Sequence, residues 1–539
     1  MTTKRRNLFE YRHMHAVGFF FIVLLVGAVA GIQKVLYYAK DPQGPKECPP
    51  LNPVTGEDST KNVLSISKED RIPNWKQRGG YINDASCLNK TAVHGVIEVR
   101  RLEDIQEALT YARKNHLHVS VAGVRHSMGG HAFSQNGIVL DMRPFNEIQI
   151  HEAEKTITVQ SGATWHDIQT KLHPKFAIKS MQSTDIFTVG GSISVNAHGM
   201  DHTSGSVAKT LRSFRIITPD GTLKHVTKEN DPELFRLVVG GYGLFGVITD
   251  AEIDITDNVM YEYKERLLPY KQFPEFFKTQ IEHTDDVGLM YAHLSTAPQS
   301  LLQEMIVYTY SKTNSYEGAI PPLAEVSSVE FRRFVLNMSK WGPLPMAAKW
   351  WAEKNIEPKL TLCHTSRNQA MKDGEACFVS RNEPMHDSVK YLQNDFVEET
   401  DILQEYYIPR DMFVPYIDHM REIFREHKAN VLNASVRVIH KEDTYLNYAP
   451  QDMFAIVLYI NQKTDKEGNE KMRVLTRALV DATLKVNGTF FLPYQLHYTK
   501  EELVASYPQI SSFFNEKKLR DPEAIFSNMF YEKYASVVD

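Results

Sequence analysis

A strand that runs into a polar, glycine-bearing loop restricts a chain strongly, because such a loop offers successive backbone N–H groups to an anion. This chain has two of them. In Val121-Ala122-Gly123-Val124-Arg125-His126-Ser127-Met128-Gly129-Gly130-His131 the alternation of Val119 and Val121 marks the strand, and the loop follows it directly. The second is Thr188-Val189-Gly190-Gly191-Ser192-Ile193-Ser194-Val195-Asn196-Ala197-His198-Gly199. Either alone reads as an ordinary glycine turn; the pair, with strand-rich chain between them, points to a site for a pyrophosphate-bearing ligand.

The surrounding pattern alternates strand and helix. Val96–Val99 reads as a strand, and Ile105, Ala108, Leu109 and Ala112 mark one face of a helix. Strands are expected at Ile138–Leu140 and Thr156–Val159, and a helix from an N-cap at Thr164 to Leu172. Phe214–Ile217 and Leu223–Val226 flank the turn Pro219-Asp220-Gly221, and Val247–Ile255 closes the region. Gly241-Tyr242-Gly243-Leu244-Phe245-Gly246 matches the dinucleotide fingerprint in letters only. That fingerprint requires a strand before it and a helix after it. Here a helix at Pro232–Val239 precedes and a strand follows, so the Rossmann reading fails.

Beyond Asp257 the strands lengthen, as at Met305–Tyr310 and Met453–Ile460, with helices at Tyr416–Lys428 and Glu470–Val486. A segment near 320–376, with Trp341, Trp350 and Trp351, reads as a helical insertion. At 539 residues with a net charge of −5, the chain is long enough for two cores and lacks the basic excess of a nucleic-acid binder. Cys48, Cys87, Cys363 and Cys377 show no metal-ligand spacing, and no metal site is expected. In an oxidising compartment Cys48 and Cys87 would join the lead-in segment to the domain that follows.

Near the N-terminus Lys4, Arg5, Arg6 and Arg12 precede the apolar run Ala16–Ile32. A helix of that length spans roughly 25 Å, close to a bilayer core. The expectation is a single-pass protein with a cytoplasmic N-terminus and its catalytic part on the far side, periplasmic or lumenal. A cleaved signal peptide at Ala28-Val29-Ala30 is the competing reading, which would leave a secreted protein.

The stretches Ala122-Gly123-Val124-Arg125-His126-Ser127, Thr188-Val189-Gly190-Gly191, Asn196-Ala197-His198-Gly199 and Gly240–Ile248 resemble the FAD-binding domain of the vanillyl-alcohol oxidase and p-cresol methylhydroxylase superfamily. Asp521-Pro522, Phe526, Asn528 and Phe530 resemble its C-terminal tail, which returns to the flavin domain. Glu405-Tyr406-Tyr407-Ile408-Pro409-Arg410 is similar to a segment of the alditol and aldonolactone oxidase branch. The resemblance implies an α+β, two-domain FAD-binding flavoprotein of the p-cresol methylhydroxylase type with an antiparallel-sheet substrate domain. The expected division is a membrane anchor at 1–38, a linker and lead-in at 39–92, the FAD domain at 93–256, the substrate domain at 257–510 and the returning segment at 511–539.

The resemblance also assigns residues. Gly123, Val124, Arg125, Ser127, Met128, Gly190, Gly191, Ser192, Asn196, His198, Gly199, Gly246, Val247 and Ile248 are expected to bind FAD, and His126 to form its covalent tether. No cysteine lies in the second loop, so a second tether is not expected. On the strand Val431–His440, Asn433, Ser435 and Arg437 share a face. Arg437 stands where the related oxidases carry the arginine of a substrate-binding Glu-x-Arg, with Ser435 in place of the glutamate. His497, with Tyr494 close by, stands where they carry a lysine near substrate and flavin. The implied activity is hydride transfer to flavin from a hydroxyl-bearing substrate, a sugar, polyol, lactone or lipid-linked alcohol, with oxygen or a quinone as acceptor. The rival readings are an NAD(P)H-driven flavin reductase and a non-catalytic carrier that keeps the flavin fold.

Overall fold

The computed structural model describes residues 31–33, 35–36, 51–52, 73–314, 316, 318–323, 325, 329–356, 377–386, 396 and 398–538. Its described residues are α+β. A four-stranded sheet runs in the order Trp75–Arg78, Gly95–Glu98, Ile138–Asp141, Val119–Ala122. The last three strands are mutually parallel, the arrangement that needs a crossover. The helix Leu102–Lys114 supplies it, burying Ile105, Ala108, Leu109 and Ala112 against the sheet. Trp75–Arg78 pairs antiparallel at the edge, so part of the expected linker is sheet.

A six-stranded sheet is centred on Val247–Asp257, which pairs with Leu211–Ile217, Thr156–Gln160 and Phe176–Ile178. The Thr164 hydroxyl caps the helix Trp165–Leu172 by accepting from the Asp167 N–H. Helix Pro232–Val238 precedes the Gly241–Gly246 turn and strand Val247–Asp257 follows it, an order inverted relative to a dinucleotide fold.

The largest sheet is antiparallel and eight-stranded: Cys377–Ser380, Met260–Pro269, Glu304–Lys312, Val287–Leu294, Asn430–Ile439, Met453–Lys463, Glu399–Pro409, Thr489–Phe490. Helices Phe413–Glu426 and Lys466–Lys485 pack on it, and Gln404 and Tyr406 point their way: Gln404 Nε2 donates to the Thr476 hydroxyl at 2.7 Å. One apolar core joins this sheet to the six-stranded one, running from Met128 and Trp165 to Tyr407 and Phe454.

The C-terminal segment returns to the first sheet. The Val119 N–H donates to the Ile525 carbonyl at 2.7 Å, and the Ser527 N–H to the Val119 carbonyl at 3.1 Å. Asn528 Nδ2 donates to the Tyr242 carbonyl at 2.9 Å. Within the insertion, helices Val329–Ser339 and Pro343–Asn355 are described, and Trp350 is buried with its Nε1–H on Glu304 at 3.0 Å.

The membrane-anchor expectation is corrected. Among the described residues no helix is long and apolar enough to cross a membrane. Apart from Gly31 and Ile32, the Ala16–Ile32 run lies outside the described residues. The single-pass topology therefore does not stand. Cys87 and Cys377 are each disulfide-bonded; Cys48, the expected partner of Cys87, lies outside the described residues.

Candidate functional site

The two glycine loops touch. A Cβ on Gly123 would lie 2.0 Å from the Thr188 hydroxyl oxygen, so only glycine lets the first loop press on the second. Arg125 turns the first loop with a φ of 55°, a left-handed conformation rarely adopted by L side chains. It is held there from the lead-in segment: the Ala85 N–H donates to the Arg125 carbonyl at 3.0 Å and Arg125 Nε to the Asn83 carbonyl at 3.2 Å. The buried Asp84 carboxylate accepts from the Gly130 N–H at 3.0 Å. Sequence reasoning had no signal for this support, since residues 80–90 look like linker.

His126 follows Arg125 and packs edge-on against Phe187, ring centres 5.1 Å apart. Burial, helped by the Arg125 charge, lowers its pKa to about 4, so the imidazole is neutral near neutrality. Its buried Nδ1 has no hydrogen-bond partner. A buried, neutral, unpartnered ring nitrogen on a glycine loop has the chemistry of a flavin tether, and a ligand bonded there would satisfy it. Nearby His131 stacks on Phe530 of the returning tail at 5.6 Å, and burial lowers its pKa to about 3.

Several other expected FAD residues are turned toward the protein. The Ser192 hydroxyl donates to the Thr188 carbonyl and accepts from Trp165 Nε1 at 2.9 Å. The Asn196 amide oxygen accepts from the Ala208 N–H at 3.1 Å, and its Nδ2 donates to Glu442 at 3.2 Å. Gly199 lies where a Cβ would come 1.9 Å from the Met181 carbonyl oxygen. These side chains shape the second loop. Gly190 sits in the short helix Val189–Ser194 with its N–H on the Ser161 carbonyl, and Gly191 lies beside it. Gly246 has a φ of 142° and opens the strand that carries Val247 and Ile248. Val124 and Ser127 are half-buried, and Met128 is buried, its Sδ facing the Leu403 N–H at 3.3 Å.

That contact brings the loop to one face of the large sheet. Register fixes the face: Ser435 lies opposite Val457, which lies opposite Glu405. Arg437 and Tyr407 likewise both lie opposite Ala455. His198 Nε2 is 2.6 Å from Glu405 Oε1 and 3.2 Å from the Tyr407 hydroxyl. The Tyr494 hydroxyl donates to Glu405 Oε2 at 3.3 Å, and burial with the Glu405 charge pushes its pKa up. The His198 Nδ1 has no hydrogen-bond partner.

Arg437 is buried on the same face, its guanidinium 4.9 Å from the centre of the Tyr291 ring. Burial lowers its pKa, opposed by Tyr291, Glu405 and Tyr310. Its Nη1 has no hydrogen-bond partner. A buried guanidinium so incompletely paired costs several kcal/mol of desolvation, of order 3–5 kcal/mol when a partner is missing. Beyond it lie His293, whose pKa burial lowers to about 3, and stacked Tyr291 and Tyr308 with ring centres 4.5 Å apart.

The structure thus brings Arg437 and Tyr494 to one face with His198. His497 is set elsewhere: burial lowers its pKa to about 4, and the charges acting on it are Lys533, Arg473 and Glu470, none of them on the sheet face. Glu405, which has no role in the sequence reading, is the carboxylate of this face. The signal for it was a lone acidic residue in the apolar run Ile402–Ile408.

A family described as an FAD binding domain matches residues 93–227. Over those residues the chain carries an FAD binding domain and is similar to FAD-linked oxidoreductases of the vanillyl-alcohol oxidase and p-cresol methylhydroxylase superfamily. It is 31% identical over 194 residues to an uncharacterized oxidoreductase, ORF5 in the fasciation locus of Rhodococcoides fascians, covering 34% of this chain and 43% of that protein. It is 30% identical over 217 residues to cytokinin dehydrogenase 2 of Arabidopsis thaliana, covering 39% and 43%. Against decaprenylphosphoryl-beta-D-ribose oxidase of Mycolicibacterium smegmatis it is 32% identical over 142 residues, covering 26% and 31%. The chain spans less than half the length of these curated relatives. FAD is the cofactor of this family domain, and His126, Gly123 and the second loop are the residues that would hold it.

Proposed function

We propose that this protein is an FAD-dependent oxidoreductase that oxidises a hydroxyl-bearing carbon, with His126 as covalent tether. The observation that carries the reading is the His198–Glu405 hydrogen bond at 2.6 Å, on the face that Arg437 shares. Bound FAD supplies the hydride acceptor. Glu405 accepts the hydroxyl proton as the carbinol C–H bond breaks, while His198 and Tyr494 hold the carboxylate in place. Arg437 turns its free Nη1 to the oxygen of the substrate or to the negative charge that develops on reduction. The aromatic wall of Tyr407, Tyr448 and Phe491 excludes water from the pair. Oxygen or a quinone would be the electron acceptor.

Glu405 offers, level with Ser435 but one strand further on across Met453–Lys463, the carboxylate that Ser435 lacks. That supports the catalytic reading over a non-catalytic carrier. Similarity to a decaprenylphosphoryl-ribose oxidase supports a hydroxylated substrate, a sugar, polyol or lactone, free or lipid-linked. The test is anaerobic reduction of the purified protein's flavin by a panel of such compounds, beside NADPH and primary amines. Bleaching by a hydroxylated compound, slowed in Glu405→Gln, supports the reading. Rapid bleaching by NADPH instead would make the protein a reductase.

A further inference from the structure

Away from the flavin loops, two histidines share one carboxylate. His166 lies in the first turn of helix Trp165–Leu172, and His386 ends the short helix Glu383–His386. Asp185 is fully buried, and its Oδ2 lies 2.8 Å from His166 Nδ1 and 3.0 Å from His386 Nδ1. The two rings stack at 4.8 Å with 18° between their planes. Each Nε2 lies 3.5 Å from the same oxygen of Glu325, Oε1.

A carboxylate and an amide oxygen only accept, so His166 Nδ1 donates its proton to Asp185, His386 Nδ1 donates to the Gln169 amide oxygen at 3.3 Å with Asp185 beside it, and each Nε2 turns a lone pair toward Glu325. Three electron-rich atoms then converge with no proton between them. A metal ion resolves the conflict. Two atoms bound at about 2.1 Å to a common ion in tetrahedral geometry lie about 3.4 Å apart, close to the spacing seen to Glu325. An acceptor on the remote nitrogen of each histidine, here Asp185 on His166 and Gln169 on His386, is the usual outer partner of such a site, setting tautomer and ring orientation together. The remaining oxygen of Asp185, Oδ1, is buried and without a hydrogen-bond partner, so the carboxylate is held for the histidines.

We propose that His166, His386 and Glu325 bind a divalent transition metal of the zinc type, with Asp185 as anchor and water in the fourth position. Two imidazoles and one carboxylate favour zinc or its neighbours over the all-oxygen preference of calcium and magnesium. The position gives the ion a structural task. His166 belongs to the segment that leads to the flavin loops: its N–H donates to the Asp185 carbonyl at 2.9 Å, and the Trp165 N–H to the Phe187 carbonyl at 3.1 Å. Phe187 is the residue packed on His126, one position before the second loop. Glu325 lies near the start of the insertion and His386 in the short helix that follows its end. The ion clasps the insertion to the support of the flavin tether.

The test uses the purified, flavin-loaded protein, stripped with a chelator and titrated with zinc or cobalt. The site predicts one equivalent bound, a rise in melting temperature, and with cobalt the intense visible bands of tetrahedral coordination, at longer wavelength than oxidised flavin. Loss of outer partners alone weakens such sites about 10–100-fold, so Glu325→Gln, an exposed change that leaves the core intact, should weaken binding at least about tenfold. His166→Gln should remove the cobalt bands. No equivalent bound to the wild type overturns the proposal, as does binding that neither variant alters.

Discussion

His198 Nε2 lies 2.6 Å from Oε1 of Glu405, joining the second flavin loop to the middle of the large sheet. The contact places a buried carboxylate beside the loop and in register with Arg437's face. Glu405→Gln keeps the shape and removes the proton acceptor. Flavin loading should survive, and the rate of flavin reduction by substrate should fall roughly a hundredfold or more, within the range for loss of a general base. A wild-type rate measured by stopped flow would assign Glu405 to packing alone.

Arg437→Met tests the other half of that face. The guanidinium is buried with Nη1 unpartnered. Its loss should cost a few kcal/mol of transition-state stabilisation, roughly a hundredfold in reduction rate. Arg437→Lys should restore only part, because a point charge lacks the planar fork. Equal rates in all three proteins would return Arg437 to a structural role.

Much of this was legible in the sequence, for physical reasons. The strand and helix periods are local: the structure has Gly95–Glu98 and Val247–Asp257 within a residue or two of their expected ends, and Leu102–Lys114 buries the expected face of Ile105, Ala108, Leu109 and Ala112. The face of Asn433, Ser435 and Arg437 follows from two-residue alternation. What escaped depends on register between distant strands. Nothing near Ser435 announces that Glu405 lies level with it across Met453–Lys463. The His166–Asp185–His386 cluster likewise joins residues whose spacing forms no motif. The apolar N-terminal run had the opposite fault, a strong local signal read as a membrane span that no described helix supports.

Arg381 ties the end of the insertion to the core. Its guanidinium pairs with buried Asp201 and donates to the Lys179 carbonyl at 2.8 Å and the Tyr261 hydroxyl at 2.9 Å. Arg381→Met leaves Asp201 buried without its cation and should cost about 3–5 kcal/mol in denaturant unfolding. Adding Asp201→Asn should recover part of that loss. Additive losses in the double variant would refute the coupling.

Asp141 gives a pH signature. Burial alone would raise its carboxyl, but Arg143 and Lys76 outweigh burial and hold it at about 2. The folded value lies below the unfolded one of about 3.9, so the stabilisation is complete above that and is lost as pH falls toward about 2. Asp141→Asn should therefore cost roughly 2 kcal/mol near neutral pH and almost nothing at the acid end. A penalty that does not change with pH would contradict the ion-pair account.

The most direct measurement is the absorbance spectrum of the purified protein, before and after acid precipitation, for the wild type and His126→Ala. Oxidised-flavin bands that stay with the wild-type pellet and move to the supernatant in His126→Ala are the predicted result. A colourless protein that takes up no added FAD would contradict the account at its root, and full release from the wild type would contradict the tether.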